Sequence, residues 1–121
     1  MIYGIGIDVE ETARFRRLVS HVAGLARVYG PAELAELQRR GRLDSYAANF
    51  CAKEAFSKAL GTGVRGFSLN EAELLRDALG KPYFKLSGCA LHIAQRDGLS
   101  FSVSVSHSRE YAAAVVVAEK I

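Results

Sequence analysis

Three carboxylates and one ammonium group are spaced as a charge-handling site requires. Asp8 and Glu10 lie two residues apart at the end of the alternating stretch IYGIGIDV (2–9), so they project to one side if the strand continues. Glu54 and Lys58 lie one helical turn apart within DSYAANFCAKEAFSKALGTG (44–63). Hard divalent cations such as Mg2+ take one or two carboxylates and keep waters that a phosphate can replace. Asp8, Glu54 and Glu10 are therefore candidate metal ligands. Two of them also have a structural use: Asp8 as a turn or helix-capping residue, Glu54 as an intrahelical partner of Lys58. Lys58, beside the backbone N–H groups of Gly61-Thr62-Gly63, suits a diphosphate whose developing charge needs neutralising. The glycines serve equally as a helix stop and lack the lysine pattern of a nucleotide P-loop. His107 ends the strand carrying Ser102, Ser104 and Ser106; it forms no nucleophile–base pair with Ser106, because adjacent strand residues face opposite ways.

The long stretch that carries Glu54 and Lys58 reads as a helix from Asp44 to Leu60, with Asp44 or Ser45 able to cap its start and Gly61 to stop it. Ala47, Ala48, Phe50, Cys51, Ala52, Ala55, Phe56, Ala59 and Leu60 wrap most of its circumference, so it is expected to be largely buried. A carboxylate on such a helix must find a cation, a metal or a set of hydrogen bonds. Upstream, Tyr3, Ile5, Ile7 and Val9 form one face of a half-buried strand. The other face holds Gly4 and Gly6, bare enough for another backbone or a ligand to come close. A helix with Phe15, Leu18, Val19 and Val22 inside follows, with Thr12 as its cap and Arg14, Arg16 and Arg17 outward; a solvated basic face is the ordinary reading of those arginines. Gly30-Pro31 opens a short helix through Leu37. Phe67–Leu75 reads equally as strand or helix. Ala78–Pro82 is a tight turn leading to Tyr83, Phe84 and Leu86, and Ser87-Gly88 begins another helix. The chain closes on a hairpin of two strands, Phe101–His107 and Tyr111–Ala118. The elements predict an α+β fold, a small antiparallel sheet packed on a long central helix, in a single domain over residues 1–121.

Composition sets bounds on function. Half of the 121 residues are hydrophobic and 24% are charged, as in a globular chain. No apolar run approaches the ~20 residues of a membrane span, and Met1 leads straight into strand, so neither a membrane association nor a secretory leader is expected. Cys51 and Cys89 lack metal-type spacing and read as small buried thiols of a cytoplasmic protein. A net charge of +3 favours an acidic partner but is too small to argue for nucleic acid, and few aromatics interleave with the arginines.

Four motifs together carry a resemblance. GIGIDVEE (4–11), FCAKEAFSKALGTG (50–63), GKP (80–82) and SVSHSREYAAAVV (104–116) resemble, in order and spacing, the bacterial holo-acyl-carrier-protein synthases, the small single-domain branch of the 4'-phosphopantetheinyl transferases. The resemblance implies transfer of the phosphopantetheine arm of coenzyme A to a serine of an apo-acyl carrier protein, leaving adenosine 3',5'-bisphosphate. It implies that Asp8 and Glu54 hold Mg2+, that Lys58 neutralises the diphosphate, and that Gly61, Gly63, Lys81, Pro82 and His107 line the coenzyme A site. It further implies that Arg14 grips an acidic residue of the carrier and that the protein is a homotrimer with its cleft between protomers. Two positions depart from the family pattern. Asn49 fills a slot that commonly holds Arg, leaving Arg39, Arg40 or Arg42 as possible replacements. Glu10 adds an acid of the Asp-x-Glu type seen in the larger branch, and so is a candidate extra ligand. The competing reading is a module that binds coenzyme A or a nucleotide without turnover; Asn49 favours it, whereas intact Asp8, Glu54 and Lys58 oppose it.

Overall fold

The computed structural model describes all residues, 1–121. Strand β1 (Ile2–Glu11) is followed by a 3-10 turn and the short helices α1 (Phe15–Val19) and α2 (Val22–Val28). Next come α3 (Pro31–Arg40), the long α4 (Leu43–Leu60), a hairpin of β2 (Ala72–Arg76) and β3 (Pro82–Leu86), then α5 (Gly88–Asp97) and the final hairpin of β4 (Leu99–His107) and β5 (Tyr111–Lys120). β1, β5 and β4 form an antiparallel sheet in that order, while β2 and β3 pair separately. The α+β architecture of antiparallel sheet on a long helix is the one expected.

α4 lies across one face of the three-stranded sheet, and small residues set how closely. Its Ala52, Ala55 and Ala59 meet Ala112, Ala114 and Ala118 of β5, all buried. A Cβ at Gly4 or Gly6 would strike the carbonyl oxygens of Ala59 and Ala55. The buried half of β1 is thus its glycine face. The apolar face points away from the helix, leaving Ile5, Ile7 and Val9 at 59%, 65% and 62% exposure. Further along the core, Phe56 gathers Phe67, Phe84 and Phe101 with ring centroids 4.6–5.5 Å apart.

Several local expectations are corrected. The helix after β1 is two helices, broken at Ser20, whose hydroxyl donates to the Arg17 carbonyl, and Val22 lies outside on the second of them. Thr12 caps nothing; its hydroxyl is buried without a partner. α4 begins at Leu43 with Arg42 as N-cap, and neither Asp44 nor Ser45 caps it; the Asp44 carboxylate is drawn instead to Arg42 and His107. Gly61, with φ +83°, stops the helix as read. The ambiguous 67–75 stretch becomes a 3-10 turn and β2. Cys89 is exposed, not buried, because it opens α5 on the solvent side.

A fully buried polar cluster fixes how α4 is rotated. Lys53 forms an ion pair with Glu33 of α3, both side chains at 0% exposure, and also donates to the carbonyls of Leu69 (3.1 Å) and Ala72 (2.8 Å). The second Glu33 oxygen accepts from Asn49 Nδ2 (3.0 Å) and from the Leu74 backbone N–H (3.2 Å). Asn49 also donates to the Leu74 carbonyl (3.2 Å). The departure at Asn49 is therefore a structural contact inside the fold.

Candidate active site

β1 is an edge strand, so one row of its backbone groups has no strand partner. Lys58 reaches that edge from α4. Its Nζ donates to the Ile7 carbonyl at 2.9 Å and to Asp8 Oδ1 at 3.3 Å. Asp8 Oδ2 is buried and has no hydrogen-bond partner. The three carboxylates read from the sequence share one electrostatic field. Glu54 has its pKa raised, first by burial and then by the charge of Asp8, with Lys58 opposing. Glu10 is pushed up to about 7 by burial and by the neighbouring carboxylates of Asp8 and Glu54, against the pull of Arg14. Arg14, mostly exposed, donates to Glu10 Oε1 at 2.6 Å. Behind them the Cys51 thiol donates to the Ala112 carbonyl (3.3 Å) and is pushed up to about 12 by burial and by Asp8 and Glu10, so it remains a thiol. Ile7, Asp8, Val9, Lys58 and Ala113 line a cavity of about 310 Å³.

This donor set fits a hard divalent cation. It offers carboxylate oxygens only, one of them buried and unpaired, and burial together with the charge of Asp8 raises the pKa values of Glu10 and Glu54. No preassembled group of three or more His, Cys, Asp or Glu ligands is present. Mg2+ does not require one, since it usually keeps several waters.

The remaining predicted residues stand apart from this cluster. Gly61 and Gly63 lie just beyond the C-terminus of α4, both with positive φ and open space where a side chain would project. Lys81 closes the turn before β3, its backbone N–H bonded to Asp77, and Pro82 begins that strand. His107 ends β4 in the same cross-strand row as Glu10, with Ala112 between them, so the two are about 10 Å apart by sheet spacing. Sequence reasoning missed Asp44, whose Oδ2 lies 3.4 Å from His107 Nδ1. It also missed the Glu33–Lys53 pair. Polar Asn49 and Lys53, four residues apart on a helix this apolar, were the available signal for that pair.

Comparison with known proteins identifies the family and the fold. The sequence profile of the 4'-phosphopantetheinyl transferase superfamily matches residues 4–116. A holo-[acyl-carrier-protein] synthase of Fusobacterium nucleatum is 43% identical over 120 residues, covering 97% of this chain and 98% of that protein. The crystal structure of the corresponding Neisseria meningitidis enzyme superposes with a TM-score of 0.92 at 40% identity, over 99% of this chain and 100% of that one. The Helicobacter pylori enzyme, solved in complex with coenzyme A, gives a TM-score of 0.84 at 30% identity, over 95% and 99% of the two chains. With its whole length accounted for in sequence and in fold, this chain belongs to the 4'-phosphopantetheinyl transferase superfamily, as an enzyme of the small single-domain holo-acyl-carrier-protein synthase branch.

Proposed function

We propose that the protein transfers the 4'-phosphopantetheine arm of coenzyme A to a serine of an apo-acyl carrier protein in a Mg2+-dependent reaction. The serine oxygen bonds to the phosphorus that carries pantetheine, the bridging P–O bond breaks, and adenosine 3',5'-bisphosphate departs with the bond's electron pair. The observation that carries this reading is the buried, unpaired Asp8 Oδ2 beside Glu54 and Lys58. Asp8 and Glu54 would hold the cation, with Glu10 as a further ligand; the cation supplies positive charge to the diphosphate oxygens. Lys58, already at the mouth of the site, would neutralise the leaving group. Glu54, its pKa raised by burial, is suited to receive the serine proton. Gly61 and Gly63 present backbone beside the phosphates, Lys81, Pro82 and His107 line the rest of the coenzyme A site, and exposed Arg14 meets the acidic carrier. Positioning and charge neutralisation provide most of what such a transfer needs.

The outer sheet face supports the homotrimer implied by the resemblance. Ile5, Ile7, Val9 and Val115 form an exposed apolar patch, and the active-site cavity opens beside it, lined by Ile7, Val9 and Ala113. A second copy packed there would wall the cavity. The two free thiols accord with a cytoplasmic setting, and no helix is long and apolar enough to cross a membrane. The deciding experiment incubates the protein with apo-carrier, coenzyme A and Mg2+. The carrier should gain ~340 Da, a covalent modification read by mass. Tight coenzyme A binding without any gain would favour the non-catalytic module. Sedimentation should give the trimer mass, and Ile7→Glu should dissociate it.

A further inference from the structure

We infer that Asp44 is a positioning residue that sets the orientation and tautomer of the His107 ring, with Arg42 clamping Asp44 in place. The inference rests on the assignment of His107 to the coenzyme A site. Asp44 sits in the first turn of α4, directly beneath the end of β4. Arg42 grips both of its oxygens, Nε to Oδ1 at 3.2 Å and Nη2 to Oδ2 at 2.9 Å. That two-point contact fixes the carboxylate plane and leaves Oδ2 facing His107 Nδ1 at 3.4 Å. A carboxylate beside Nδ1 favours a proton there and turns Nε2 outward. The ring is half exposed, and beside it Ser106, Ser108, Tyr111, Ala112 and Ala113 complete a recess of about 180 Å³.

The charges explain why an arginine is needed as well. Asp44 alone would place a full negative charge where an anionic ligand must approach. Arg42 offsets it, and together with the helix start it keeps Asp44 ionised, its pKa held below the usual carboxylate range. The neutral Arg42–Asp44 pair can then orient the imidazole without repelling a phosphate at Nε2. Asp44 touches no reacting atom and acts only through His107.

Two measurements test this on the full-length protein. Long-range 1H–15N spectra of the His107 ring, recorded without coenzyme A, should show the proton on Nδ1 in the wild type and a shift toward the Nε2–H tautomer in Asp44→Asn. In the transfer assay Asp44→Asn should raise KM for coenzyme A about tenfold, the usual scale for losing a residue that orients a ligand-binding histidine, while KM for the carrier stays put. Placed in a His107→Ala background, the same substitution should add less than about twofold, because its effect passes through the ring. An unchanged ring tautomer in Asp44→Asn, or a tenfold loss that persists without His107, overturns the inference. So does an unaltered KM in His107→Ala, and in that case the wild-type mass gain on the carrier still reports independently on the transferase reading.

Discussion

Lys58 Nζ occupies one oxygen of Asp8 at 3.3 Å while the other oxygen of the same carboxylate is buried with no partner. Oδ2 is thus left as a free acceptor, and Glu54 beside it adds a charge that Lys58 alone does not offset. Asp8→Ala and Glu54→Ala should each lower transfer at least ~10³-fold, the scale seen when a group that stabilises developing charge is lost. Thermal unfolding should stay at or above the wild-type midpoint in metal-free buffer, since each substitution removes a repelling carboxylate. A loss of activity that tracked a loss of fold would make these residues structural.

Glu10 gives the site a pH signature. Its carboxyl titrates near 7 in the folded protein and near 4.5 when exposed on an unfolded chain. The sign follows directly: below about 4.5 both states bind the proton, and as pH rises to about 7 only the folded state keeps it, so folding stability falls across that window and levels off above it. Metal-free wild type should therefore lose stability between pH 5 and 7, and Glu10→Gln should flatten that decline. If Glu10 also serves the cation, Glu10→Gln should raise the Mg2+ concentration needed for half-maximal transfer. An unchanged Mg2+ requirement removes it from the ligand set.

Gly6 is where the strand meets the helix. Any Cβ there meets the Ala55 carbonyl oxygen, which is backbone and cannot rotate aside. Gly6→Ala should push β1 off α4, destabilise the protein by about 1–3 kcal/mol or somewhat more, and move Asp8 relative to Glu54. Activity should consequently fall further than stability alone explains under conditions where the variant remains folded by circular dichroism.

The helix and its polar anomaly were legible because burial and periodicity are local properties of one stretch. Gly61 requires a positive φ wherever its surroundings lie, and the alternation over 101–107 with the apolar run over 111–118 marks strands whatever they pair with. The facing of β1 was legible only in part: bare Gly4 and Gly6 called for a close backbone or a ligand, and the Ala55 and Ala59 carbonyls are that backbone. Alternation gives a period but not a direction, and in this strand the backbone contact at Gly4 and Gly6 decided it. Asp44 was read as a cap because a capping residue and an ion-pair partner look alike until His107, 63 positions later, is folded onto the helix start. Asn49 likewise carried a meaning set by Glu33 and Leu74, which no local pattern reveals.

Beneath the site, Lys53 is the residue before Glu54 and is pinned at 0% exposure to Glu33 and two carbonyls. Burial works against both charges, raising the pKa of Glu33 and lowering that of Lys53, so each ion depends on its partner. Lys53→Met strands Glu33 and should destabilise the fold by about 3–5 kcal/mol, visible as a shift of the urea midpoint. Combining it with Glu33→Gln should recover part of that loss, since the double variant leaves no unpaired charge. Equal instability in the single and double variants would place the cost in packing instead of charge.

Arg14 links the metal side of the site to the carrier. Its guanidinium is bonded to Glu10 at 2.6 Å and remains mostly exposed, so an acidic group on the carrier would compete with Glu10 for it. Arg14→Ala should raise KM for the carrier and weaken its dependence on salt, because one screened attraction is gone. It should also free Glu10 from the one neighbour that lowers its pKa, so that the loss of metal-free stability continues above pH 7. KM for coenzyme A is expected to hold. A fall in turnover with carrier affinity intact would move Arg14 from the docking surface into the metal site itself.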